Sequence, residues 1–123
     1  MIDVNVEILA GTDVVKPFFV PGKSLHDELT LLVKAGFTPL QALRAATIVP
    51  ANYLRLHDSG TIAPKQRADF VLLDADPLQD INNTRRIAGV MANGAYYSRQ
   101  ALDEMLRGIE REATAWKGTP TGQ

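Results

Sequence analysis

Asp13 is the residue in this sequence best placed to do chemistry. It lies in the stretch ILAGTDVV, Ile8 to Val15, where an apolar run breaks at Gly11 and then presents Thr12 and Asp13. Open and closed α/β folds place their chemistry at the carboxyl ends of strands, and a carboxylate there can accept a proton or approach a cation. The plainer reading is a turn residue that ends a strand or caps a helix. The remaining candidates are few. The chain has two histidines, His26 and His57, and no cysteine. Disulfides, thiolate zinc sites and cysteine nucleophiles are therefore excluded. His26 lies inside a helical pattern, where packing or hydrogen bonding is a more ordinary role than metal ligation. His57 beside Asp58 suits an ion pair or a turn contact. Phe18 and Phe19, in the loop KPFFVPGK, suit either a substrate pocket or a hydrophobic contact. Arg85-Arg86 reads as a solvated face, and Trp116 either packs on the last helix or sits at a subunit contact.

The elements that must position these residues follow from periodicity. IDVNVEIL alternates Ile2, Val4, Val6 and Ile8 with Asp3, Asn5 and Glu7, which predicts a strand with one buried face. Ser24 is placed to cap a helix, with Asp27 three residues on, and Leu25, Leu29, Leu32 and Val33 give its apolar face before Gly36 ends it. Thr38, Pro39 and Gln41 predict a second helix with a capping box, and Pro50 opens a third, ANYLRL. SGTI reads as a turn into a short extended segment. The apolar run Phe70 to Leu73 reads as a strand buried on both faces. Asn93-Gly94 between two apolar runs predicts a hairpin with a type I′ turn. Ser98 caps a last helix whose Leu102, Met105, Leu106 and Ile109 share one face, and KGTPTGQ reads as a frayed tail.

The bulk numbers exclude several classes of partner. With 123 residues the chain suits one domain. It is 46% hydrophobic and 22% charged with a formal net charge of -1, which gives no basic field for nucleic acid or an acidic membrane surface. No apolar run approaches the roughly 20 residues of a membrane helix, and the alternating N-terminus is unlike a signal peptide. A cytoplasmic location is the default expectation.

Read in order, AGTD, VPGKSLHDELTLLVKAGFTPLQALRAAT, GTIAPKQRADFVLLDADPLQDI and RIAGVMANG resemble the C-terminal part of metal-dependent amidohydrolases. The nearest branch holds imidazolonepropionase-like and prolidase-like hydrolases, and the resemblance runs from Val4 to Tyr96. It implies a (β/α)₈ barrel with a small β-sandwich, and hydrolysis of C–N bonds by water held on one or two divalent metals, usually zinc. GTD would close the eighth barrel strand, with the two capped helices outside it. Asp13 would match the family aspartate that touches the metal and takes the proton from the attacking water. His26 would match a position that is often histidine in this branch but is not a metal ligand.

The same resemblance exposes what this sequence lacks. The family site is a cluster of four histidines, the first two as His-X-His, usually with a carboxylated lysine or a glutamate. Two histidines without that motif cannot assemble it. A barrel also takes about 200 residues at least. The expected fold is therefore α/β in the family context and α+β in isolation. Residues 1–57 would be the last barrel strand and its helices, 58–97 a partial sandwich with the Asn-Gly hairpin, 98–117 a helix and 118–123 a tail. Arg55 and Lys65 stand where the resemblance expects glycine, so those turns are expected to have changed shape.

Two functional expectations follow. One is a C-terminal amidohydrolase fragment, inactive and metal-free alone, that works with a complementary N-terminal barrel chain. The other is a free-standing non-catalytic domain that self-associates or binds a partner protein. Unpaired strand edges and uncovered apolar faces predict a homo-oligomer, with a twofold dimer favoured.

Overall fold

The computed structural model describes residues 7–13 and 21–117. It is a mixed chain of helices and one small antiparallel sheet. The order is α1 (Lys23–Lys34), α2 (Pro39–Ala45), α3 (Ile48–Tyr53), β1 (Phe70–Leu73), a 3₁₀ helix (Ile81–Arg85), β2 (Ile87–Ala92), β3 (Ala95–Ser98) and α4 (Arg99–Lys117). Glu7 to Asp13 has no regular secondary structure. Most of the expected first strand, Phe18, Phe19 and the tail 118–123 lie outside the described residues.

The helix ends follow local chemistry, with one correction. Ser24 does not cap α1. The helix begins one residue earlier, behind Gly22 at φ 84, with no side-chain cap. Ser24 is buried and its hydroxyl donates to Thr12 Oγ1 at 3.4 Å. Asp27, the other half of the expected box, is drawn instead to two cations, Lys23 and Arg85, each at 2.7 Å. The far end of α1 closes as expected. Gly36, at φ 106, donates to the Val33 carbonyl and Phe37 to the Leu32 carbonyl, the paired bonds of a Schellman ending. In α2 the predicted box is complete, with Thr38 Oγ1 accepting from Gln41 N–H and Gln41 Oε1 accepting from Thr38 N–H. The third helix starts at Ile48, so Pro50 sits within its first turn rather than opening it. There its missing N–H loses no intrahelical bond.

Arg55 and Lys65 contradict the expectation of altered turns. Both keep positive φ, 57° and 70°. At the end of α3, Arg55 N–H donates to Asn52 O and Leu56 N–H to Ala51 O. That is again a Schellman ending, here with arginine in the left-handed position that favours glycine. The hydrogen bonds hold the shape and the side chain accepts the strain. Gly60 has a stricter reason to be glycine: at φ 87, an added Cβ would lie 2.8 Å from Ala51 Cβ and 3.0 Å from Ile48 Cα.

The sheet has the order β1-β2-β3, antiparallel throughout, with an irregularity between Leu72 and Leu73. Asn93 and Gly94 have φ of 49° and 76°, matching the predicted type I′ turn. Asp69 steadies that turn by accepting from Asn93 N–H at 2.6 Å. Gly89 leaves room for the Tyr96 side chain, whose hydroxyl and ring edge would meet a Cβ at 2.6 and 2.7 Å. The expectation that Phe70 to Leu73 is buried on both faces fails. Val71 and Leu72 are 50% and 51% exposed, because the described residues place no second layer over the strand. SGTI forms a bend, and the next strand begins only at Phe70.

The buried core is small. Leu29, Ala42 and Ile81 form it, with Leu32, Val33, Leu43 and Ala46 packed around them. No large side chain among the described residues is completely buried. Ser98 Oγ accepts from Ala101 N–H at 3.2 Å and starts α4 as predicted, and α4 lies on β2 and β3. The helix's apolar stripe is half-buried at Leu102 and increasingly open toward Ile109.

Two substitutions with opposite signs test this reading of the turns. Gly60→Ala should destabilise the chain by about 2–3 kcal/mol, through backbone strain and contact with α3. Lys65→Gly should stabilise it by about 0.5–1 kcal/mol by relieving a left-handed lysine. Urea midpoints at constant slope measure both, and a stabilised Gly60→Ala would refute the close approach.

Candidate functional site

Asp13 lies at the end of a loop held to the helices by three contacts. Ala10 N–H donates to the Ala45 carbonyl at 2.9 Å. Gly11 N–H donates to Glu28 Oε1 at 2.7 Å, and Thr12 Oγ1 receives the Ser24 hydroxyl. Asp13 itself has φ 47, in the left-handed region that aspartate enters more readily than most residues. A short, anchored loop thus presents the carboxylate in a fixed backbone conformation. Glu28 is the residue that sequence reasoning missed. One helical turn after Ser24 on α1, it shares the face that meets the loop. Its Oε2 is buried and has no hydrogen-bond partner.

His26 belongs to a different network. Its Nδ1 lies 3.0 Å from Thr84 Oγ1. Thr84 is buried and donates its only hydroxyl hydrogen to the Ile81 carbonyl at 2.8 Å. Thr84 can then only accept from the ring, so Nδ1 carries the hydrogen and Nε2 of the neutral ring keeps a lone pair. The ring lines a groove bounded by α1, β2 and α4. Arg85 and Arg86 are both exposed, as the solvated-face reading expects, and Arg85, at the groove's edge, also pairs with Asp27 of α1. Arg86 contributes its carbonyl, which accepts from Asp74 N–H at 2.8 Å.

The electrostatics follow from those neighbours. Partial burial, then the Arg85 guanidinium, hold His26 below its ordinary 6.5, and Asp27 acts weakly in the opposite direction. Hydrogen bonds from Lys23 and then Arg85 hold Asp27 below 3.8. His57 is exposed, and its carbonyl accepts from Gln66 Nε2 at 3.3 Å, a turn contact made by backbone rather than ring. Trp116 is exposed near the end of α4.

Asp13, His26 and His57 are not brought together as a metal centre. Among the described residues no group of three or more histidine, cysteine, aspartate or glutamate side chains could hold an ion. A divalent metal of the kind the resemblance implies therefore finds no donor set here. No helix of the described residues is long and apolar enough to cross a membrane.

Comparison with known proteins places this geometry. A model described as the amidohydrolase family matches residues 1–96. The chain belongs to the amidohydrolase family. Over 85 residues it is 39% identical to an imidazolonepropionase of Deinococcus deserti, covering 68% of this chain and 21% of that protein. It is 41% identical over 70 residues to an adenine deaminase of Oleidesulfovibrio alaskensis, covering 57% of this chain and 12% of that protein. Among solved structures, phenylurea hydrolase B superposes with a TM-score of 0.58 at 40% identity, covering 65% of this chain and 18% of that one. Molinate hydrolase gives 0.62 at 32% identity, with 64% and 17% covered. The amidohydrolase chain thus spans about an eighth to a fifth of the length of these curated relatives. Its helix α4 lies beyond the residues that the family model matches.

The His26 network has a pH signature. A neutral ring favoured by the fold contributes stability that is present above pH 6.5 and lost as the pH falls through the lower folded-state value. In an NMR titration the His26 ring should titrate below 6.5. Arg85→Gln should move its midpoint upward, and an unmoved midpoint would leave burial as the sole cause.

Proposed function

We propose that this chain is the C-terminal segment of a metal-dependent amidohydrolase that cleaves C–N bonds in amide, lactam or imidic substrates. In this reading the missing barrel strands bring the metal-binding histidines, either as a separate N-terminal chain or as the rest of one polypeptide. The complete enzyme takes zinc or another divalent ion, and the segment alone takes none. Asp13 is its catalytic residue, the carboxylate that accepts a proton from the attacking water. A loop anchored at Ala10, Gly11 and Thr12 fixes where that proton goes. Glu28 is a positioning residue, acting through the Gly11 amide.

The observation that carries this reading is the pairing of a family match over residues 1–96 with a core too small for the chain's apolar content. Val71 and Leu72 of the sheet, and Tyr53, Leu54 and Leu56 after α3, are all at least partly open. Soluble domains rarely leave so much apolar surface uncovered. A segment cut from a larger barrel and sandwich does so necessarily.

The second reading, a non-catalytic domain that self-associates as a twofold dimer, draws support from α4. Ile109 and Trp116, 63% and 78% exposed, extend its stripe beyond the sheet on a helix outside the family match. Sedimentation at micromolar concentration distinguishes the two. A dimer dissociated by Ile109→Glu supports self-association, and a monomer removes it.

The direct test is a chimera. This chain should replace the matching C-terminal segment of the Deinococcus deserti imidazolonepropionase and retain imidazolone hydrolysis. Asp13→Asn in the chimera should lower kcat by about 10²–10⁴ with metal content unchanged. A chimera that folds and binds metal but is indifferent to Asp13→Asn refutes the assignment. Calorimetry of the isolated chain with zinc should show no stoichiometric binding. Micromolar binding lost in Asp13→Ala would overturn the view that the segment is metal-free alone.

A further inference from the structure

We propose that the groove between α1, β2 and α4 binds a small amphiphilic monocarboxylate, with its apolar tail on β2 and α4 and its head group at Arg85. The groove has a volume of about 510 Å³, within the range of small-molecule sites. Its apolar lining comes from β2 and α4, with Val90, Leu102 and Leu106 among it. None of its polar residues is a carboxylate. Lys23, Arg85 and Arg99 line it together with His26.

Charge selects the ligand. Asp27 pairs with Lys23 and Arg85, and Asp103 with Arg99, from outside the lining. Two carboxylates therefore face three cations, which leaves the groove one positive charge over. That suits a monoanion better than a doubly charged phosphate ester. Arg85 engages Asp27 through Nη2, and a guanidinium has further in-plane N–H donors that match a carboxylate. The Thr84 contact fixes the neutral His26 ring by Nδ1 and leaves on Nε2 a lone pair that cannot donate to a carboxylate, so the head group falls to Arg85. An apolar cleft with a few polar groups is the usual make-up of a small-molecule site.

One wall of the groove is α4, which lies outside the family-matched residues 1–96. The site is therefore not defined by the matched segment alone. It stands apart from the amidohydrolase reading, and either can fail without the other.

The experiment uses the 123-residue chain, titrated with octanoate and with 1-octanol while amide and methyl NMR shifts are followed. Octanoate should bind saturably at one site, at least about tenfold more tightly than octanol. The shifts should be confined to the start of α1, the end of the 3₁₀ helix, β2 and the first half of α4. Arg85→Gln should reduce octanoate affinity to that of octanol. Leu106→Asp, at a half-exposed position that the fold does not need buried, should abolish binding of both, with circular dichroism unchanged. Equal affinity for the alcohol and the acid overturns the proposal, as does indifference to Arg85→Gln. So does a response centred on Leu72, which lies on the sheet face opposite Val90, or the absence of saturable octanoate binding. A dimer that covers Leu106 and excludes octanoate likewise overturns it and assigns the groove to a second copy.

Discussion

The helical half and the sheet half of this chain are tied together at a single apolar seam. Leu29 of α1, Ala42 of α2 and Ile81 of the 3₁₀ helix meet there, bringing together residues more than fifty positions apart. Ala42 and Ala45 are 0% and 2% exposed, and their small side chains let the helices approach closely. The polar contacts at the same junction depend on that approach. Thr84 reaches His26 only because Ile81, three residues before it, is seated. The Asp27–Arg85 pair joins the same two elements, yet its groups are largely open to solvent. Exposed ion pairs contribute little, whereas a buried isoleucine contributes about 1.5–3 kcal/mol. The apolar contact sets the geometry and the charges decorate it.

Such a seam is modest for the work it does. Small chains bury a smaller fraction of their surface than large ones, and here the apolar residues are distributed for neighbours that the described residues do not supply. The open face of β1 makes this concrete. Phe70-Val-Leu-Leu has the unbroken apolar character of a strand covered on both sides, and sequence logic assigns it that environment. The strand forms, pairs with β2 in register and remains half-exposed. Its composition is suited to a larger assembly than the chain itself builds. The same tension recurs at Leu54 and Leu56 after α3 and along the outer part of α4.

What could be read from the residues alone was whatever is decided locally. The Thr38–Gln41 box, the Gly36 ending, the Asn93-Gly94 turn and the Ser98 cap each involve residues within a few positions of one another, and each is present. The misreadings share the opposite property. Ser24 matched a cap, but a hydroxyl twelve residues away in the loop competes for it. Asp27 matched a box, but Arg85, 58 residues away, provides a stronger partner. Arg85 is exposed as its sequence suggests, but its pair with Asp27 joins two distant elements and was out of local reach. Glu28 was silent for the same reason, since its role exists only once Gly11 is folded against α1. Of the candidate site, the sequence carried Asp13 through resemblance and nothing of the scaffold that holds it.

Arg55 and Lys65 show how firmly local backbone geometry is determined. Both occupy left-handed positions that cost a non-glycine residue about 1–2 kcal/mol, and neither turn has relaxed. At Arg55 two closing hydrogen bonds at the end of α3, from residues 55 and 56, require that conformation whatever side chain is present. Asp13 stands in the same relation to its loop, because the contacts at Ala10, Gly11 and Thr12 are made by neighbours and by the helices. The segment therefore keeps the shape in which its carboxylate is presented, independently of any metal donor. Chemistry has no such local insurance. In the proposed function a proton acceptor needs a polarised water opposite it, and the described residues bring together no cluster of metal-ligating side chains to polarise one. Fold persists in a segment while function belongs to the whole, because hydrogen bonds close over a few residues and active sites close over many.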